Sequence, residues 1–128
     1  MSYSQKIDRM FNKIKNSFQN NINEISSDFS LQIFSLIEYY KDKDTFMAKF
    51  INTKEKRYTL LIFMHMDLLT LNIEKTIFNY SIYKDEESII SNRINYFELR
   101  GKDIDENFKN LFIKINNNLS ENLILKNK

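Results

Sequence analysis

His65 is the only imidazole in a chain of 128 residues that contains no cysteine. Set between Met64 and Met66 in the most apolar stretch, it reads as a partly buried structural histidine, because one His cannot supply a two-His metal site. The missing thiol excludes a disulfide framework, a zinc ribbon, an iron–sulfur cluster and a thiolate nucleophile. Asp103, Asp105 and Asn107 imitate the first ligands of a calcium loop, whose alternating side chains point at one ion. That match fails where Phe108 replaces the required Gly and Lys114 the bidentate Glu. Glu98 with Asp103 or Asp105 is the carboxylate pair to weigh as a glycosidase acid and base, but acids at a helix end serve as solvated caps. No set of nucleophile, base and ligand is complete. The expectation is therefore no enzyme, no catalytic residue, no metal, no cofactor and no small-molecule substrate.

Composition narrows the partners. Lys and Arg number 19 against 17 Asp and Glu, a net charge of +2, too small for the whole surface to hold a polyanion. Tyr and Phe fall at core-like positions instead of interleaving with cations, so no nucleic acid is expected. A single Gly cannot build a phosphate cradle or a dinucleotide fingerprint. With 42% hydrophobic and 28% charged residues the chain is globular in type.

The elements that must position these residues follow from apolar spacing. Ile7, Met10, Phe11, Ile14, Phe18, Ile22 and Ile25 recur every three or four residues, which predicts an amphipathic helix from Ser4 to Ile25. Lys6, Asp8 and Arg9 interrupt the apolar core a secretory signal needs, so a cytoplasmic location is expected. Phe29 to Tyr40 fits either a second helix or a short strand through Phe29, Leu31 and Ile33. Lys41 to Asp44 reads as a charged break, after which Asp44 caps a short helix through Phe50 and Ile51. Tyr58 to Ile73 reads as a buried segment that Ile73, Ile77 and Phe78 continue as a central helix toward Asn79; His65 and Asp67 interrupt the apolar run, so no membrane insertion is expected. Asp85, Glu86 and Glu87 suit the start of a helix carrying Ile90, Ile94 and Phe97, with Arg100 and Gly101 closing it. Leu111, Ile113 and Ile115 alternate, Asn116 to Asn118 suit a turn, and Leu119 to Leu125 returns apolar, which predicts a C-terminal β-hairpin. The fold expected is α+β: N-terminal helices, a central buried helix, a capped helix 85–100 and a C-terminal antiparallel hairpin.

Three segments resemble one family. Phe50-Ile51-Asn52-Thr53-Lys54 is similar to the Leu-Leu-Asn-Thr-Arg that closes the first conserved helix of TssE-type baseplate wedge proteins of type VI secretion systems. Thr76 to Ser81 is similar to their Ser-x-Leu-Asn-Tyr-Gly. Ile94 to Arg100, followed by Asp103 and Ile104, resembles their Ile-x-x-Phe-Glu-Pro-Arg and Asn-Val, with Leu99 where the family has Pro and Ser81 where it has Gly. The resemblance implies a structural, cytoplasmic baseplate component of a contractile injection system that joins baseplate to sheath and initiates sheath polymerisation. It divides the chain into an N-terminal helical extension, 1–43, and a wedge-like domain, 44–128, in one compact unit. Its partners would be sheath subunits and other baseplate wedge proteins. Partner-binding residues would be Phe97, Glu98 and Arg100, together with Leu111, Ile113, Ile115, Leu123 and Leu125 on the hairpin, whose free edge another strand could join. A reading from a different class is a small intracellular inhibitor or immunity protein that occludes a single protein partner.

Overall fold

The computed structural model describes residues 2–40, 43–67 and 69–121. Helix α1, Tyr3–Asn20, opens on a reciprocal cap in which the Gln5 N–H donates to Ser2 Oγ at 3.2 Å and the Ser2 N–H to Gln5 Oε1 at 3.0 Å. It ends at Asn21, whose Nδ2 donates to the Ser17 carbonyl at 2.9 Å and to the Asp105 carbonyl at 3.0 Å. Five antiparallel strands follow: β1, Phe29–Tyr40; β2, Lys43–Asn52; β3, Tyr58–Asp67; β4, Ile77–Lys84; and β5, Glu87–Asn95. They lie in sequence order, a meander in which each strand pairs with the next. Short 3-10 turns occupy Ile22–Glu24, Ile73–Lys75 and Tyr96–Leu99, and α2, Ile104–Glu121, closes the described chain.

Both helices pack on one face of the sheet. Phe18 of α1 meets Phe50 of β2 at 6.3 Å, and meets Phe108 and Phe112 of α2 edge-on at 6.2 and 5.2 Å between ring centroids. Phe108 in turn stands 5.6 Å from Phe78 of β4, and Phe11 stands 4.9 Å from Phe46 of β2. Under the helices lie Leu60, Ile62, Met64 and Met66 of β3 and Phe78, Tyr80 and Ile82 of β4, all buried. Tyr80 is satisfied there, since its hydroxyl accepts from Asn92 Nδ2 at 3.1 Å and from Asn118 Nδ2. Residues on both sides of position 43 share this core, and β1 and β2 pair from Phe29 opposite Asn52 to Tyr40 opposite Lys43.

This sheet corrects the expected layout of helices and hairpin in four places. The short helix expected after Asp44 is β2, and the central helix expected from Tyr58 toward Asn79 is β3, the 3-10 turn Ile73–Lys75 and the start of β4. From Leu60 on, burial in β3 alternates, but Leu61 and Phe63 between the buried residues are also apolar, so the run shows no period. The helix expected at 85–100 is a hairpin turn, β5 and a 3-10 turn. Ile90 and Ile94, four apart, share a face in a strand as they do in a helix, and Asp85 is a turn residue at φ 57° instead of a cap. The hairpin expected at 111–125 is α2 as far as Glu121: Phe108, Leu111, Phe112, Ile115 and Leu119 are buried at helical spacing, while Ile113 is 41% exposed. The Phe29 to Tyr40 segment, open between helix and strand, is a strand. Of the charged break expected over Lys41 to Asp44, Lys43 and Asp44 begin β2, while positions 41 and 42, like the hairpin's last residues, 122–125, lie outside the described residues.

Candidate functional site

The other face of the sheet carries no helix among the described residues, and it is not surfaced like ordinary solvent-facing sheet. Alternation places Met47 and Ile51 of β2, Leu61 and Phe63 of β3, and Ile77 and Tyr83 of β4 on it, all half-buried. Register sets them in rows. Met47, Phe63, Asn79 and Arg93 stand opposite one another across β2 to β5, and Lys49, Leu61, Ser81 and Ser91 form the next row. The face is thus apolar over β2 and β3 and polar toward β5, where Ser81 and Ser91 hydroxyls meet at 3.1 Å. Ile33 of β1, 44% exposed, extends the apolar part. Beside it Met47, Lys49, Leu61 and Tyr83 line a shallow depression of about 410 Å³ that ends at Asp85 and Glu86.

His65 belongs to this face. Its Nδ1 lies 3.1 Å from Thr45 Oγ1, and its ring stacks on Phe63 with 6.4 Å between centroids. At one end of the face the two hairpin turns are clamped: Arg57 Nε and Nη2 donate to the two Asp85 carboxylate oxygens at 3.2 and 2.9 Å. The Asp85 N–H donates to the Arg57 carbonyl at 2.7 Å. These hydrogen bonds hold the Asp85 carboxyl below its usual range and raise the guanidinium. At the other end Asp67 accepts from the Thr70 hydroxyl at 2.9 Å and the Leu69 N–H at 2.9 Å, with Lys75 at 3.8 Å. Burial pushes this carboxyl up, but the bonds from Thr70 and Leu69 outweigh it and leave it lowered.

The residues singled out in the sequence divide into three places. Phe97, Glu98 and Arg100 stay together on the 3-10 turn after β5, with Phe97 60% exposed. Glu98 accepts from the Asn95 N–H at 3.1 Å and from Asn95 Nδ2 at 3.3 Å, a cap on its own turn, and Arg100 sits at φ 55°. Leu111 and Ile115 are fully buried against the sheet, with Ile113 on the outer side of α2. Leu123 and Leu125 lie outside the described residues. Asp103 accepts from the Glu106 N–H at 2.9 Å, which starts α2, and Asn107 accepts from the Gly101 N–H at 2.6 Å.

The other motif residues also have local work. Asn52 accepts from the Lys54 and Glu55 N–H groups at 3.0 and 2.8 Å, and the Thr53 N–H donates to the Asp28 carbonyl at 2.6 Å while Lys54 pairs with the buried Asp28 carboxylate at 3.2 Å. Among the described residues no group of three His, Cys, Asp or Glu side chains is placed to hold a metal ion, and no helix is long and apolar enough to cross a membrane. Sequence reasoning missed the bare face. Its signal was the continuous apolar run of β3, which a strand shows when both of its faces are apolar. No family model, curated protein or solved structure matches this chain.

Proposed function

We propose that this chain is a non-catalytic, cytoplasmic protein-binding domain that takes a single protein partner on the bare face of its sheet, as a small inhibitor or immunity protein does. The observation that carries the reading is the half-buried apolar cluster of Met47, Ile51, Leu61 and Phe63 on a sheet face that no helix covers among the described residues. Contiguous exposed apolar surface bordered by polar groups is the composition of a docking face. Here the border is Asn79, Ser91 and Arg93, and Lys49 stands within the cluster between Met47 and Ile51; each has donors that would orient a partner.

The test compares the wild type with Leu61→Ser and Phe63→Ser together, each tagged in the native host and recovered under gentle conditions. One partner in equal amount with the wild type, lost from the variant while its melting stays cooperative, is the expected result. Equal recovery from both would remove the bare face from the function. The sheath-initiating reading remains a second proposal on one observation: β1, Phe29–Tyr40, and β5, Glu87–Asn95, are the outer strands of the sheet, so strand addition would occur at one of these edges and not on α2, Ile104–Glu121. Recovery of sheath and baseplate subunits would put it first.

A further inference from the structure

A second surface lies where α1, which packs on the covered face of the sheet, meets the connection that follows β3. Lys6, Arg9, Met10 and Lys13 from α1 and Leu71 and Ile73 from the connection line an open groove of about 450 Å³. The positions i, i+3, i+4 and i+7 put the three cations along one stripe of the helix with Met10 between them. The stripe runs about 10 Å at 1.5 Å per residue. All three cations are exposed, and none enters an ion pair among the described residues. The floor is half-buried and apolar: Met10, Leu71 and Ile73.

The groove wall is fixed in place, and at a cost. Asp67 pins the connection through the Leu69 N–H and the Thr70 hydroxyl, and the Leu71 N–H donates to the Asp67 carbonyl at 3.1 Å. So held, Leu71 adopts φ 53°, a conformation that a branched apolar residue disfavours and that Gly or Asn would take freely. A leucine kept in that backbone state is there for its side chain, and the side chain lines the groove. Asp8, two residues from Lys6, falls on another side of the helix. Three cations on this stripe contrast with a net charge of +2 for the whole chain.

We infer that this groove binds an acidic segment of a protein partner, which places one large apolar side chain on Met10, Leu71 and Ile73 and its carboxylates against Lys6, Arg9 and Lys13. Three extended residues span the stripe at roughly 3.3 Å each, so carboxylates on either side of one apolar anchor reach cations at both ends. The inference does not depend on the bare sheet face.

The test is fluorescence anisotropy on the full chain with a labelled peptide in which Leu-Phe is flanked on each side by three acidic residues. Control peptides replace the acids by Lys, or Leu-Phe by Ser-Ser. The acidic Leu-Phe peptide should bind, both controls should bind weakly, and Lys6→Glu with Arg9→Glu and Lys13→Glu should weaken binding by at least about tenfold, as should half-molar salt. Leu71→Gly relieves the backbone, so it should melt no lower than the wild type and still bind the peptide less well. Leu61→Ser with Phe63→Ser should leave peptide binding unchanged. Equal binding of acidic and basic peptides, or an undiminished affinity in both groove variants, would overturn the inference. So would binding to phosphatidylserine vesicles without binding to the peptide, which would make the stripe a lipid contact.

Discussion

The two faces of the sheet are built from similar side chains and differ in what covers them. On one, Phe46, Phe50, Leu60, Ile62, Phe78 and Tyr80 are sealed by α1 and α2; on the other, Met47, Ile51, Leu61, Phe63 and Tyr83 are only half-buried, by their neighbours in the sheet. Stability should therefore reside in the first face and binding in the second. Phe18→Ala tests the first half most strongly. Phe18 joins β2 to both aromatic residues of α2, so its removal opens a cavity where three elements meet. It should cost about 3–5 kcal/mol in urea unfolding. A loss of less than about 1 kcal/mol would mean that the helices are not held on the sheet by this cluster.

The next effect concerns how α2 is aligned with that face. Gly101 is the only glycine, and a Cβ there would stand 2.7 Å from the Asn107 backbone nitrogen and 2.7 Å from its Oδ1. Asn107 is buried and accepts from the Gly101 N–H, and beside it burial pushes the Tyr96 hydroxyl up from its usual range, an effect Asn107 partly offsets. Gly101→Ala must therefore move the first turn of α2, and a loss of about 1–3 kcal/mol is expected by thermal or urea melting. An unchanged midpoint would show that α2 can shift on the sheet without penalty.

How much of this was legible in the sequence follows the same division. The first helix could be read because it is amphipathic, with a polar side that makes the period visible. The strands of the sheet's middle could not, because their second face is apolar too: in β3 Leu61 and Phe63 fill the gaps between Leu60, Ile62 and Met64. The feature that hid the strand is the one that marks the candidate site. Ile90 and Ile94 failed for a different reason, since a separation of four fits both periods. For α2, the alternation of Leu111, Ile113 and Ile115 competed with the stronger stripe of Phe108, Phe112 and Leu119. For Glu98 and Arg100 the resemblance implies a partner contact and the residues alone allow an intramolecular cap equally; within the chain Glu98 caps its own turn, an interaction its spacing of three from Asn95 allows.

On the bare face a substitution should leave the fold nearly intact. Leu61→Ser removes a half-buried side chain that no helix contacts among the described residues, so a loss of only about 1 kcal/mol is expected from the partial burial. The soluble yield at high concentration should rise, because an apolar patch is broken. A loss comparable to that of Phe18→Ala would show that something in the folded chain covers this face and would end its candidacy as a docking surface.

The smallest effect is set by the clamp at the end of that face. Asp85 is held below its usual range first by its hydrogen bonds from Arg57. A carboxyl whose folded pKa is lowered contributes stability above its unfolded value of about 3.9, and that contribution is lost as pH falls through the folded value. Asp85→Asn removes the charge but keeps a residue that tolerates φ 57° in the turn. The variant should therefore be slightly less stable than the wild type at about pH 7, and the difference should shrink below about pH 4. Because both partners are exposed, added salt should shrink it at neutral pH as well. A gap between the two proteins that stayed constant from neutral to acid pH would assign the effect to the turn backbone instead of the charge pair.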